Sequence, residues 1–282
     1  MKKIVAFLGP PGTYTDQASH NYAPDHVRVP YPSIKAVTEA MEKGKADECV
    51  VPIENSLGGT ILEVADYLIR AKETLIKAEI LLRIDHCLIG ECISNLSQIK
   101  VVKSKFEAFQ QCKHFIDKHL PKAKLVSTSS TATAVNELKN DPKWTVAIGP
   151  KRSAELAGIP IIKEYIQDKS NNITRFVVLS KRDHESTGKD KTSIAFEFAS
   201  DAPGLIYTAL KPFAENNINL TKIESRPTGK SLGSYIFLLD FEGHKTDMKI
   251  SETIKKLRPH MSKLKILGSY PITHLQKDTD NE

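Results

Sequence analysis

Four times within its first 160 residues the chain runs a short apolar stretch into a turn of Gly, Pro, Ser or Thr and then into a helical pattern. That repetition confines the region to an α/β layer built on largely parallel strands. Ile4 to Gly9 reads as a buried strand, Pro10-Pro11-Gly12 as a turn, and Thr13 or Thr15 as the cap of a helix reaching Tyr22. Glu48 to Ile53 is a second strand, followed by the loop Glu54-Asn55-Ser56-Leu57-Gly58-Gly59. Thr60 to Glu63 then has the form of a capping box, and Ile61, Val64, Leu68 and Ile69 mark an apolar helical stripe. Lys124 to Ser127 leads through Thr128-Ser129-Ser130-Thr131 into a helix ending near Leu138. Thr145 to Ile148 leads through Gly149-Pro150 into a helix from Lys151 to Ala157, closed by Gly158 as a left-handed cap. In open α/β sheets, ligands bind beyond the carboxyl ends of the strands, where helix N-termini aim free N–H groups at anions, so these loops are where a carboxylate is expected.

A length of 282 residues suits about two domains. Apolar content of 40% and charged content of 26% are ordinary for a globular protein, and no stretch reaches the length of a membrane span. The apolar run Ile4 to Leu8 is cut off by Gly9-Pro10-Pro11-Gly12 too early for a signal peptide, which predicts a cytoplasmic location. The formal charge of +6 is scattered, and Lys100 to Lys105 and Lys255 to Arg258 lack interleaved aromatic residues. Nucleic-acid binding is therefore not expected. Cys49, Cys87, Cys92 and Cys112 form no Cys-x-x-Cys pair, and His114 and His119 are too far round a helix to share a face. Reduced thiols and no metal are the expectation.

The polar run Asp183 to Lys191 reads as a linker. After it come strand Thr192 to Ala199, helix Pro203 to Asn216, strand Leu220 to Arg226, a turn with Gly229, strand Ser234 to Phe241, helix Met248 to Met261 and strand Leu264 to Tyr270. This βαββαβ order predicts a ferredoxin-like sandwich, with Pro203 in the first helical turn. Its helices would leave one sheet face and an edge strand free, features that lead to pairing between subunits.

Gly9-Pro10-Pro11-Gly12-Thr13-Tyr14-Thr15, Val51-Pro52-Ile53-Glu54-Asn55-Ser56, the turn Ser127 to Thr133, and Asn172-Ile173-Thr174-Arg175-Phe176 together resemble prephenate dehydratase in order and spacing. Pro203-Gly204-Leu205-Ile206 and Asn219 to Pro227 resemble the ACT regulatory domain that accompanies that enzyme, with Leu205 where the family usually carries alanine. The resemblance implies a catalytic region over residues 1–182, made of two α/β lobes similar to type II periplasmic binding proteins. The chain would cross between the lobes near residues 80 and 160, and an ACT domain would span 192–272. It implies conversion of prephenate to phenylpyruvate, inhibition by phenylalanine, no cofactor, and a homodimer or a dimer of dimers (a homotetramer).

Prephenate carries one carboxylate and a secondary, doubly allylic hydroxyl on a cyclohexadiene ring and a second carboxylate on its side chain, and loss of CO2 with that hydroxyl yields an aromatic ring. Aromatisation drives the reaction, so the protein must supply placement and a proton or hydrogen bond for the leaving hydroxide. By resemblance Thr174 is that donor, Arg175 holds a carboxylate or braces its strand, and Glu54 either supplies the proton or braces its loop. Thr13, Asn55, Ser56, Ser129 and Thr131 are the candidates for carboxylate binding, with Asn172 and Phe176 from the same motif as Thr174. Gly204, Leu205, Glu224, Ser225 and Arg226 are the implied effector site. His86 reads as a hydrogen-bonded strand histidine. Arogenate dehydratase, or an amino-acid sensor without chemistry, remains an alternative. The few residues ahead of Gly9 suggest an enzyme without a chorismate mutase domain.

Overall fold

The computed structural model describes residues 2–91, 95–229 and 234–275, which leaves Cys92 outside the described residues. The chain forms two compact units, one from the residues up to Ile61 with Ile80–Phe176, the other from Leu62–Glu79 with Val177–His274.

In the first unit β1 (Ile4–Leu8), α1 (Tyr14–Tyr22), β2 (Val27–Tyr31), α2 (Ile34–Glu42) and β3 (Glu48–Asn55) alternate, so that Glu48 opens the third strand rather than the second. Helix α1 begins because Thr13 accepts the Asp16 N–H, and α2 because Ser33 accepts the Ala36 N–H. The two-residue β4 (Gly59–Thr60) folds back antiparallel on β3, pairing Glu54 with Thr60, and leads into α3 (Leu62–Arg70) and β5 (Leu75–Arg83). Strand β1 pairs parallel to both β2 and β3.

A second sheet holds β6 (Cys87–Ile89), β7 (Val101–Ser104), β8 (Lys124–Ser127), β9 (Thr145–Gly149) and β10 (Ile161–Lys163), in the order β10-β6-β9-β7-β8. Here β7 runs parallel to β8 and β9, whereas β6 runs antiparallel to β9 and β10. Helices α4 (Phe106–Gln111), α5 (Lys113–His119), α6 (Thr131–Glu137) and α7 (Lys151–Ala157) lie between these strands in sequence. Phe109, Phe115 and Ile116 of α4 and α5 pack on Val102, Val146 and Ile148, and Ala134 and Val135 of α6 on Ile89 and Ala147. Gly158 adopts φ 68° and closes α7, which is the left-handed cap the sequence predicts. Strand β11 (Ile173–Ser180) returns to the first sheet, whose order is β2-β1-β3-β11-β5. The chain thus passes between the sheets after β5 and again after β10.

In the second unit β12 (Asp190–Phe198), α8 (Leu205–Glu215), β13 (Leu220–Pro227), β14 (Tyr235–Glu242), α9 (Met248–Leu257) and β15 (Met261–Pro271) form the expected βαββαβ order, as an antiparallel sheet β13-β14-β12-β15. Phe213 of α8 and Ile250 and Ile254 of α9 pack on Ile194, Phe196, Leu239 and Phe241 of its strands. Three expectations differ. Gly204 takes φ 84° as the residue before α8, which leaves Pro203 outside the helix. Pro259 stands in a short 3-10 turn, so α9 ends at Leu257 and Met261 already belongs to β15. Asp190 and Lys191 are strand rather than linker, and the Asp190 carboxylate gathers the turn by accepting the N–H groups of Thr187 and Gly188.

The sheet face opposite α8 and α9 is not left free, because α3 and the start of β5 belong to this unit. Lys265 Nζ donates to the Leu68 and Ala71 carbonyls at the C-terminal end of α3, and the buried pair Lys191–Glu79 spans 3.1 Å. Gly268, at φ 152°, meets the backbone of Ile76 so closely that an added Cβ would stand 2.1 Å from the Ile76 carbonyl oxygen and 2.8 Å from its nitrogen. Both neighbours are backbone, so neither can swing away. Gly268→Ala is expected to lower unfolding free energy by about 3 kcal/mol, combining overpacking with backbone strain. Urea unfolding of variant and parent checks this, and an unchanged midpoint would contradict the packing.

Candidate active site

The carboxyl ends of β1, β3 and β8 face a cleft with a volume of about 880 Å3 inside the first unit. Its walls come from both sheets: Thr13, Tyr14 and Thr15 from the β1–α1 junction, Asn55 and Leu57 to Ile61 after β3, Lys105 to Gln111 around α4, Ser129 to Thr131 before α6, and Asn172, Thr174 and Phe176 on β11. The alternation of β11 decides which of its residues take part. Thr174 and Phe176 line the cleft, whereas the intervening Arg175 does not, in accord with the two-residue period of a strand.

Asn55 joins the two segments that form the cleft's base. Its Oδ1 accepts the N–H groups of Leu57 at 3.0 Å and Gly58 at 2.8 Å, so the loop is wrapped around its own side chain. Its Nδ2 donates to Asn172 Oδ1 at 2.7 Å, to Thr174 Oγ1 at 2.9 Å and to the Ile173 carbonyl at 3.3 Å, across 117 to 119 residues of sequence. Ser56 completes the stitch away from the cleft lining: its Oγ donates to the Asn171 carbonyl at 3.0 Å and accepts the Ile173 N–H at 2.9 Å. Glu54 and Arg175 meet at 3.5 Å and neither lines the cleft.

At the β1–α1 turn, Gly12 has φ 89° and an added Cβ would stand 3.1 Å from the Ser153 Cα, so only glycine fits. The Gly12 N–H donates to Asp16 Oδ2 at 2.9 Å, and Arg152 Nε donates to the same oxygen at 2.7 Å. Ser153 Oγ donates to the Gly12 carbonyl at 2.7 Å. Helix α7 is thereby fastened to the turn that presents Thr13. Ser129 and Thr131 flank the α6 cap Ser130, whose Oγ accepts the Thr133 N–H at 2.9 Å. Two cations, Lys105 and Lys169, also line the cleft, Lys105 beside Glu107 at 3.1 Å. Sequence reading missed both: Lys105 counts there only as part of the cluster Lys100 to Lys105, and a lone lysine such as Lys169 carries no pattern.

It also passed over His86 and Gln111. His86 is not in a strand; it lies in the crossover between β5 and β6, 2% exposed, and lines the cleft. Its backbone N–H donates to Gln167 Oε1 at 2.9 Å and its carbonyl accepts the Ile166 N–H at 3.0 Å, which laces the outgoing crossover to the returning one. Its ring stands edge-on to Tyr14 at 6.1 Å, and Nε2 lies 2.7 Å from Gln111 Oε1. Burial pulls the His86 pKa below the usual 6.5, by more than the bond to Gln111 raises it. Burial likewise pushes the Tyr14 phenol, which donates to the Asp85 carbonyl, well above its ordinary range, and the Cys87 thiol up to about 11. Cys49, Cys87 and Cys112 are buried and unbridged, and no His, Cys, Asp and Glu among the described residues cluster as metal ligands.

The second unit holds a cavity of about 690 Å3, lined by Gly204 and Leu205 with Glu197, Asp201, Tyr235 and Phe237 among others. Glu224, Ser225 and Arg226 do not line it. Ser225 pairs in register with Phe237 and Pro227 with Tyr235, one strand away from the cavity wall. Glu224 pairs with Lys222 at 3.4 Å, and Arg226 reaches Asp66 of α3 at 2.8 Å and the Leu62 carbonyl at 3.2 Å.

Residues 5–184 match the family model described as prephenate dehydratase, and residues 192–259 that of the ACT domain. The chain is 40% identical over 280 residues to the prephenate dehydratase of Methanocaldococcus jannaschii, covering 96% of this chain and 99% of that one. To the bifunctional chorismate mutase/prephenate dehydratase of Aquifex aeolicus it is 37% identical over 278 residues, covering 98% of this chain and 76% of the other. A crystal structure of prephenate dehydratase in complex with L-Phe, from Arthrobacter aurescens, superposes with a TM-score of 0.87 at 34% identity, covering 95% of this chain and 90% of that one.

The depressed pKa of His86 has a consequence for stability. Below about pH 6.5 the unfolded chain takes up a proton at His86 that the folded chain refuses. The contribution is therefore present above that pH and lost as pH falls from there toward the lower folded-state value. Urea midpoints are expected to fall less steeply between about pH 7.5 and pH 5.5 in His86→Gln than in the parent. Equal slopes would contradict the assignment.

Proposed function

The chain belongs to the prephenate dehydratase family, and from that premise we propose that its cleft converts prephenate to phenylpyruvate and that its ACT domain answers to phenylalanine. The observation that carries the proposal is the hydroxyl of Thr174, a residue 8% exposed, held at the base of a cleft by Asn55 and next in line to the apolar wall of Phe176.

The reaction breaks the ring–carboxylate bond, and its electron pair moves through the cyclohexadiene to expel the secondary, doubly allylic hydroxyl. The products are CO2, water and the aromatic phenylpyruvate, with one proton consumed by the departing hydroxide. Thr174 donates the hydrogen bond under which that hydroxide leaves, and the proton reaches it through Thr174 from water, since Glu54 faces Arg175 outside the cleft lining. The ring carboxylate must stay bare enough to lose CO2, so the strongest cationic contacts belong on the side-chain carboxylate. Lys105 and Lys169 supply positive charge at the cleft wall, and Thr13 presents the start of the nine-residue α1 there, its hydroxyl accepting the Asp16 N–H and donating to the Pro10 carbonyl at 3.0 Å. Ser129 and Thr131 offer hydroxyls from the opposite sheet. Asn55, Asn172 and Ser56 hold β3 and β11 in register, Phe176 faces the ring, and Arg175 with Glu54 braces the same two strands at 3.5 Å.

In this proposal residues 1–182 form the catalytic region and 192–272 the regulatory one. Phenylalanine binds at the cavity of Gly204 and Leu205, and β13, with Glu224, Ser225 and Arg226, relays its presence. The relative solved with L-Phe and the match to the ACT model support this. Arg226 grips α3 at Asp66, and α3 follows directly on the cleft loop that ends at Ile61. An effector that shifts β13 therefore has a covalently short route to Asn55. Couplings of this kind run to about 1–3 kcal/mol. A cytoplasmic location and assembly as a homodimer or a dimer of dimers belong to the same proposal. No helix among the described residues is long and apolar enough to cross a membrane.

Purified protein is expected to release phenylpyruvate from prephenate faster than phenylalanine from arogenate. Thr174→Ala should lower kcat by about 100- to 10,000-fold with unchanged circular dichroism. A folded variant at full rate would remove Thr174 from the chemistry. Saturating phenylalanine is expected to lower turnover about fivefold or more, and kinetics indifferent to it would remove the regulatory role.

A further inference from the structure

The polar side chains at the base of the cleft form a chain whose direction can be worked out from backbone groups alone. Amide N–H groups can only donate, so the bonds from Leu57 and Gly58 identify the Asn55 atom they meet as the carbonyl oxygen. The other Asn55 atom is therefore Nδ2, and it donates to Asn172 and Thr174. Asn172 thus presents its oxygen to Asn55, which leaves its Nδ2 to donate to Gln111 Oε1 at 3.1 Å. Gln111 Oε1 is then an acceptor on both sides, and the His86 nitrogen 2.7 Å away must carry the proton. In a neutral imidazole the remaining nitrogen bears a lone pair. That Nδ1 is buried and meets no hydrogen-bond partner among the described residues.

We propose that Gln111 is a positioning residue for this reaction: through His86 Nε2 and Asn172 it fixes the imidazole in one tautomer and locks the amide chain that turns the Thr174 proton toward the substrate. The proposal rests on the activity inferred above. The oxygen of Thr174 already accepts from Asn55, and its own proton has no acceptor among the described residues, so the hydroxyl is held as a donor. At the other end the Nδ1 lone pair of His86, edge-on to the Tyr14 ring and within the cleft wall, is a buried acceptor awaiting a donor. One chain of neutral groups thus sets a donor at one end of the cleft's base and an acceptor at the other. Gln111 is the link contributed by the second sheet's helix α4, so it aligns the two ends only when both lobes are in place.

The test is the tautomer itself, read by long-range proton–nitrogen correlation on protein labelled with nitrogen-15 histidine at about pH 8, where neutral rings prevail. The His86 signals are identified by their loss in His86→Gln. The expected result is a single tautomer protonated on Nε2, retained in Gln111→Glu, which keeps an acceptor oxygen. In Gln111→Met, which does not, the ring is expected to mix tautomers and kcat to fall about 100-fold with KM changed less than about threefold. A parent ring protonated on Nδ1 overturns the proposal, as does a Gln111→Met ring that keeps the Nε2 tautomer. If Gln111→Met fails to fold, the parent tautomer alone decides. Because the ring is observed without substrate, the two inferences fail separately. An Nδ1-protonated ring sinks the relay in an active enzyme, and inert parent protein sinks the activity whatever the ring shows.

Discussion

The carboxamide of Asn55 is the joint on which the cleft depends. It sits where β3 ends, and within one side chain it closes its own loop on Leu57 and Gly58 and reaches β11 at Asn172, Ile173 and Thr174. Two strands more than a hundred residues apart are thereby set with the carboxyl end of β3 and the amino end of β11 facing one cavity. A carboxylate at this position could accept from Leu57 and Gly58 but could not donate to Asn172. A leucine could do neither, and would leave buried partners unpaired at about 1–3 kcal/mol each. Only a carboxamide of this length satisfies both sides. Thr174 inherits its orientation from that choice, since its oxygen is already occupied.

The second unit extends the same logic away from the cleft. Its sheet is not a separate module hung on a linker, because α3 and the start of β5 are packed on it. Lys265 closes the C-terminal end of α3, where the helix carbonyls and dipole favour a cation, and Arg226 holds the N-terminal end through Asp66 and Leu62. The Lys265 ammonium is partly desolvated, which pulls its pKa down. Both ends of α3 are thus clamped by strands of the regulatory sheet, while its first residue is bonded to the cleft loop.

Much of this was legible in the sequence where the cause is local. The cap at Thr13, the left-handed Gly158 and the strand-to-helix alternation all follow from bonds within a few residues. The βαββαβ order was legible for the same reason. What could not be read is what distance in sequence hides. Nothing local marks Gln111, on a six-residue helix, as the meeting point of His86 and Asn172. His86 looked like a strand residue because Cys87 to Ile89 beyond it is one, yet it belongs to a crossover. The start of α8 is misplaced because Pro203 suits a first helical turn, and the end of α9 because apolar periodicity continues past Leu257. A positive φ at Gly204 and Pro259 after Leu257 ended the helices against that pattern. Arg226 sat in a motif ascribed to an effector, and only the packing of α3 shows where its guanidinium goes.

Why the cleft's base is built from amides rather than ion pairs follows from the charge of what it would hold. A dianionic substrate in a partly desolvated cleft repels any carboxylate near the reacting carbon, and a buried cation there would grip the carboxylate that must leave as CO2. Asn55, Asn172 and Gln111 avoid both difficulties, since each fixes the direction of its neighbour's hydrogen bond without adding net charge. The neutral state of His86 belongs to the same design: burial keeps it uncharged, so the chain ends in a lone pair rather than in a cation. The charged side chains that line the cleft, Lys105, Lys169, Glu107 and Asp168, all lie outside this chain of amides.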